Sequence, residues 1–161
     1  MHIRKAGDLD TREMADLLNA IIRKGGTTAF TEEITGDTIK AWFRQAPDQS
    51  VWHVAESDSG DILGFQSIEP HRDLPPEACD IATFVQIGQT GLGVGSRLFE
   101  ASRRAARDLG YKWINATIRA DNTGGLAYYQ SRGFETYAHH PDQRLTNGMI
   151  VAKVSKRFDL D

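Results

Sequence analysis

Apolar residues recur along the chain in two rhythms, and the switches between them lay out its elements. Residues 2–6 read as a short strand. Met14, Leu17, Leu18, Ile21 and Ile22 then fall on one face of a helix with a 3.6-residue period. Asp10-Thr11-Arg12-Glu13 has capping-box spacing at its start, and Gly25-Gly26 closes it. Thr27-Thr28-Ala29-Phe30 is irregular, and Asp37 is expected to cap a second helix carrying Ile39, Trp42 and Phe43. Residues 51–55 and 62–68 flank a Ser-Asp-Ser-Gly-Asp turn and predict a hairpin. The stretch 69–77 holds Pro75-Pro76, which a central strand does not accept.

Residues 79–87 are apolar on both faces, as in a buried strand. A glycine-rich turn follows and feeds a helix with Val94, Leu98, Ala101 and Ala105 at helical spacing, ending near Gly110. Residues 112–118 predict a strand, and 122–132 a short helix stopped by Gly133. Residues 134–139 and 149–155 predict a closing strand pair. The order β-α-α-β-β-β-α-β-α-β-β, without repeat or linker, predicts one α/β (mixed α+β) domain over 1–161, built on a mixed sheet.

Composition narrows the class. With 161 residues and 40% hydrophobic content, the chain can fill a core without covalent staples. Nineteen basic against 22 acidic residues give a net charge of −3, which argues against a nucleic-acid partner. No apolar run approaches the roughly 20 residues of a membrane span, and MHIRKAGDLD has no apolar signal core. Cys79 is the one cysteine and has no partner for an internal disulfide. A reducing, cytoplasmic setting is therefore expected. Its apolar surroundings favour a buried, inert thiol over a catalytic one.

The chemistry-bearing stretch is QTGLGVGSRLFEASRRAA, from Gln89 to Ala106. A helix start presents unpaired N–H groups and a positive dipole end, and glycines let a chain come close to a phosphate. A tight strand-to-helix turn with no ligand is the alternative. A Walker loop is excluded, because no Gly-Lys-Ser/Thr follows. A dinucleotide fingerprint fails at Ser96, where its third glycine would stand.

Thr90-Gly91-Leu92-Gly93-Val94-Gly95 resembles the coenzyme A loop of the GNAT N-acetyltransferase superfamily, (Gln/Arg)-x-x-Gly-x-(Gly/Ala), with Thr90 in place of Gln or Arg. Asn122, Tyr129, Gly133 and Phe134 match a second signature of that superfamily, Asn-(x)6-Tyr-(x)3-Gly-Phe, about thirty residues on. Gly-Gly-Thr-Thr-Ala-Phe after the first helix and the QTGLG loop are similar to the phosphinothricin acetyltransferase-like branch. That branch typically has histidine at Tyr129 and serine at Gly125.

The resemblance implies a central, mostly antiparallel sheet splayed between its fourth and fifth strands and flanked by helices. It implies acetyl-CoA as co-substrate and no metal. In this chain the backbone of Thr90, Gly91, Gly93, Val94, Gly95 and Ser96 would cradle the diphosphate, with Arg97 at the adenosine phosphates. Phe84, Val85 and Ile87 would pair with pantetheine, Val85 offering an oxyanion donor from a bulged strand end. Asn122 would cap its helix and meet the pantetheine arm.

Asp80 stands where the branch has glutamate and is the first candidate base, one methylene shorter and so suited to a bridging water. Glu69 and His71 are in reserve, and a solvated or arginine-paired Asp80 is the plain alternative. Tyr129 is the candidate acid, against a core-packing role; Tyr128 reads as packing. Thr27, Thr28 and Phe30 are expected in the acceptor pocket. The function implied is acetyl transfer by direct attack of the primary amine of a small, amino-acid-like molecule. A protein or peptide acceptor, or a non-catalytic coenzyme A sensor, is the alternative. No nucleic-acid or membrane partner is expected, and a homodimer is possible, as in the branch.

Overall fold

The computed structural model describes residues 1–89 and 92–161. Seven strands form one sheet: β1 (His2–Lys5), β2 (Val51–Glu56), β3 (Ile62–Glu69), β4 (Ala78–Val85), β5 (Trp113–Arg119), β6 (Glu135–Arg144) and β7 (Ile150–Asp159). Their spatial order is β1-β2-β3-β4-β5-β7-β6, and every neighbouring pair is antiparallel except β4–β5.

The helices cover both faces. α1 (Thr11–Lys24) and α2 (Gly36–Phe43) bury Met14, Leu18 and Ile39 against Trp52, Val54 and Phe65. Across the sheet, α3 (Val94–Asp108) and α4 (Thr123–Ser131) pack Phe99 and Tyr129 against Ile81, Ile114 and Ala116. No described helix is long and apolar enough to cross a membrane.

Local chemistry corrects several expectations. Asp10 does not cap α1. Its carboxylate accepts from Gly7 N–H (2.7 Å) and from both terminal nitrogens of Arg4 (2.9 and 2.8 Å), and a 3-10 turn at Asp8–Asp10 leads into the helix. Glu13 instead accepts from Ile62 N–H at 2.5 Å and ties α1 to β3. Thr35, not Asp37, caps α2, accepting from Thr38 N–H. β6 runs on through Pro141, past the expected end at 139. It is the edge strand, where a missing N–H costs little, and its register shifts between His140 and Gln143.

β4 pairs with β3 from Glu69↔Asp80 to Gly64↔Val85, its last six residues, without a bulge. With β5 it pairs only at Ala78↔Trp113, Cys79↔Ile114 and Asp80↔Asn115. β5 meanwhile stays with β7 over its full length. The sheet therefore opens between 81–85 and 116–119, the splay expected between the fourth and fifth strands.

Candidate active site

The gap is built by strand alternation. Gln86 N–H donates to Leu63 O (2.8 Å) in continuation of the β3–β4 register. Alternation then turns the N–H groups of Ala82 and Phe84 toward β3, and those of Thr83 and Val85 toward the opening. Val85 thus offers an N–H to the gap because β5 diverges, not because β4 bulges.

Side chains alternate in the same way. Asp80 and Phe84 point to the α1/α2 face, and Cys79, Ile81 and Thr83 to the α3/α4 face. Cys79 is fully buried and its thiol is pushed up to about 12 by burial and by the nearby Asp80 charge, as suits an inert group.

On the α1/α2 face, Asp80 lies between Glu69 on β3 and Asn115 on β5 in the strand registers. Asn115 Nδ2 donates to Asp80 Oδ1 at 2.8 Å, and its Oδ1 accepts from the Tyr137 hydroxyl. Burial raises the Asp80 carboxyl above the usual range, partly offset by Asn115, His71 and Lys153. Glu69 is pushed up to about 7 by burial and by the charge of Asp80, and its Oε1 is buried without a partner. Neither carboxylate makes an ion pair within 4 Å among the described residues. His71 is exposed in the following turn beside Asp73.

The segment after α1 straps across this face of the gap. Phe30 lies against Phe84 on β4 (centroids 6.3 Å) and stacks on Trp42 (5.5 Å). Thr28 O accepts from Arg119 on β5 (3.1 Å), and Thr27 O from Asn122 Nδ2 (3.1 Å). Three residues singled out in the sequence, Thr27, Thr28 and Phe30, thereby bridge both sides of the opening. Trp42 and Trp52 (centroids 5.9 Å) extend the aromatic wall and had no signal beyond helix and strand patterning.

On the opposite face Tyr129, 7% exposed, bonds Thr83 Oγ1 at 2.8 Å, and burial raises its hydroxyl strongly, so it stays protonated. Asn122 caps α4, its Oδ1 accepting from Gly125 N–H (2.9 Å). A Cβ at Gly125 would stand 2.5 Å from Asn122 Nδ2, which explains the glycine. Tyr128 is more than packing. Its hydroxyl donates to Gly95 O (2.7 Å) and accepts from Gln66 Nε2 (3.1 Å).

At the start of α3, Gly93 takes φ +85° and caps the helix with no side chain, and the first turn holds no acidic residue. The first helical bond is Arg97 N–H to Gly93 O (3.1 Å). The N–H groups of Val94, Gly95 and Ser96 precede it and have no partner within the helix. Val94 is buried and anchors the start of α3 in the core beside Ala55 and Leu98. Gly95 is glycine because a Cβ would stand 2.7 Å from the Tyr128 ring. Arg97 donates to Met1 O (2.7 Å), which directs it to the β1 edge, and Ile87 is exposed. Thr90 and Gly91 lie outside the described residues. Among the described residues, no group of three or more His, Cys, Asp or Glu side chains is placed to hold a metal ion.

Comparison with known proteins agrees with this architecture. YwnH of Bacillus subtilis (strain 168) is 26% identical over 162 residues, covering 99% of this chain and 95% of YwnH. Phosphinothricin N-acetyltransferase of Streptomyces coelicolor is 28% identical over 116 residues, 68% of each chain. The solved GNAT superfamily phosphinothricin acetyltransferase of Sinorhizobium meliloti, in complex with AcCoA, superposes with a TM-score of 0.88 at 15% identity, covering 99% of this chain and 88% of that one. The model of the acetyltransferase (GNAT) family matches residues 13–134, and the chain belongs to that family.

Proposed function

We propose that the acceptor is the primary amine of a small, amino-acid-like molecule, which attacks the thioester directly within the β4–β5 gap. As a member of its family the chain is an acetyl-CoA-dependent N-acetyltransferase. The observation that carries the finer reading is the placement of a carboxylate pair and a phenol on opposite faces of one opening.

The uncapped start of α3 fits an anion. Its N–H groups at 94–96, without a partner among the described residues, and its positive dipole end would hold the diphosphate of acetyl-CoA. Phe84 and Val85, on the β4 edge that β5 leaves free, would pair with the pantetheine amides, and the Val85 N–H would meet the developing oxyanion. Bound there, acetyl-CoA supplies the activated acyl group.

The chain's own residues manage the protons. An alkyl amine with pKa near 10.4 is neutral in only about one molecule in 2,500 at pH 7, a penalty of about 4.6 kcal/mol. Asp80, with Glu69 beside it, takes the ammonium proton on the α1/α2 face. Burial raises both carboxyls, and the charge of Asp80 helps push Glu69 up to about 7, which suits it to that exchange near neutral pH. Tyr129 gives its proton to the leaving thiolate from the α3/α4 side. Lys153 lies near enough to Asp80 for its charge to be felt there and makes no ion pair among the described residues, so it is available to an acceptor carboxylate.

The test is thiol release from acetyl-CoA with a panel of free amino acids, amino-acid analogues, simple amines and peptides. Turnover of free amino acids or their analogues is expected. Turnover confined to peptides, or none with any amine, overturns the reading.

A further inference from the structure

We infer that Gln66 and Thr83 fix the direction of the Tyr129 hydroxyl, leaving its proton free to face the thioester sulfur; the inference rests on the proton-donor role proposed for Tyr129. The direction follows from a chain of hydrogen bonds whose polarity is set at its Gly95 end and in which one sense alone gives every buried hydroxyl proton but that of Tyr129 a described acceptor. Gly95 O is a carbonyl and only accepts, so across 2.7 Å the proton belongs to Tyr128. Tyr128, having donated, accepts from Gln66, so the Gln66 amide presents its nitrogen there (3.1 Å).

The same nitrogen donates its second proton to Thr83 Oγ1 (2.8 Å). Thr83 thus receives a bond, and its own proton has one described hydroxyl partner, Tyr129, at 2.8 Å. Were Tyr129 the donor, the Thr83 proton would have no acceptor among the described residues, so Tyr129 accepts from Thr83 and keeps its own proton unspent. The reversed amide would place Gln66 Oε1 against the Tyr128 oxygen, two acceptors with no proton between them. The observed orientation is held although it leaves Oε1 buried and unpartnered.

The fold places these groups for this task. Gln66 and Thr83 are directly opposite in the β3–β4 register, and Gln66 is fully buried. Thr83 lies on the β4 edge of the gap, and Tyr129 meets it there from α4. A donated hydrogen bond also stabilises the phenolate formed once the proton has left, which counteracts the strong upward pull of burial on Tyr129. Thr83 and Gln66 are positioning residues acting through Tyr129.

The test compares Thr83→Val, Thr83→Ser, Tyr129→Phe and Thr83→Val/Tyr129→Phe by thiol release at saturating acceptor, with thermal unfolding as a fold check. Thr83→Val is expected to lower kcat about tenfold with KM for acetyl-CoA unchanged, and Thr83→Ser to hold kcat within about twofold. In the Tyr129→Phe background, Thr83→Val is expected to cost nothing further, because the chain acts only through that phenol. Gln66→Met should resemble Thr83→Val. An unchanged kcat in Thr83→Val, or the same tenfold loss with and without Tyr129, overturns the inference. Full activity of Tyr129→Phe alone would instead remove the proton-donor role itself.

Discussion

Glu69 and Asp80 face each other directly across the β3–β4 ladder, on the α1/α2 side of the sheet and with no cation paired to either among the described residues. Two carboxylates so placed titrate as a pair, and Glu69 is raised to about 7 by burial and by Asp80. With the pair taking the amine proton as proposed, activity requires its ionised form, and kcat/KM should rise with pH through about 7. In Glu69→Gln one carboxylate stands alone, and the limb should move to lower pH. A pH–rate profile of both proteins checks this.

The same shifts bear on stability with the opposite sign. A carboxyl whose pKa is raised on folding binds its proton more tightly folded than unfolded. Its contribution is present below the unfolded value of about 4.5 and is lost as pH rises through about 7. The protein without ligands should therefore lose melting temperature across that interval beyond the trend set by its other groups. Glu69→Gln should flatten the loss, as scanning calorimetry at several pH values will show.

Tyr129→Phe removes the hydroxyl and keeps the ring that packs on Phe134 (centroids 5.1 Å). It should lower kcat about a hundredfold while leaving the melting temperature and the acetyl-CoA dissociation constant nearly unchanged. Because burial holds the phenol protonated, Tyr129 should add no alkaline limb to the wild-type profile below about pH 10.

Gly95→Ala would press a Cβ into the Tyr128 ring, 2.7 Å away, where the chain of hydrogen bonds meets the start of α3. Overpacking of this kind costs about 2 kcal/mol. Denaturant unfolding should show that loss, and acetyl-CoA binding should weaken with it.

Asn122→Ala removes both the α4 cap and the tether to Thr27 O. Loss of the cap costs about 1 kcal/mol. The strap over the gap should loosen as well, raising KM for the amine more than KM for acetyl-CoA.

Features set by near neighbours in the chain were legible in the sequence. The α1 stripe from Met14 to Ile22 is a local period, and Asn122, Tyr129, Gly133 and Phe134 form a spacing that the fold reproduces as cap, phenol and turn. Asp80 stood out as a carboxylate in an apolar strand. Glu69 was only a reserve base and Asn115 went unnamed, because both become neighbours of Asp80 only through strand register, which is set by pairing far apart in the chain. Asn115 carried a faint signal, a polar residue inside an apolar strand. Gln66 and Thr83 looked like ordinary alternation, and Tyr128 like packing, until the register put them within hydrogen-bond reach. The Asp10 cap failed because Arg4, six residues earlier on β1, offers its carboxylate a charged partner that the capping pattern, read forward from the cap, does not take in.

The most direct measurement is a crystal structure of the protein with coenzyme A. The account predicts the diphosphate on the N–H groups at the start of α3 and the sulfur in the β4–β5 gap, between the faces that carry Asp80 and Tyr129. Coenzyme A bound in the groove between β1 and α3, or a sulfur outside the gap, would contradict it.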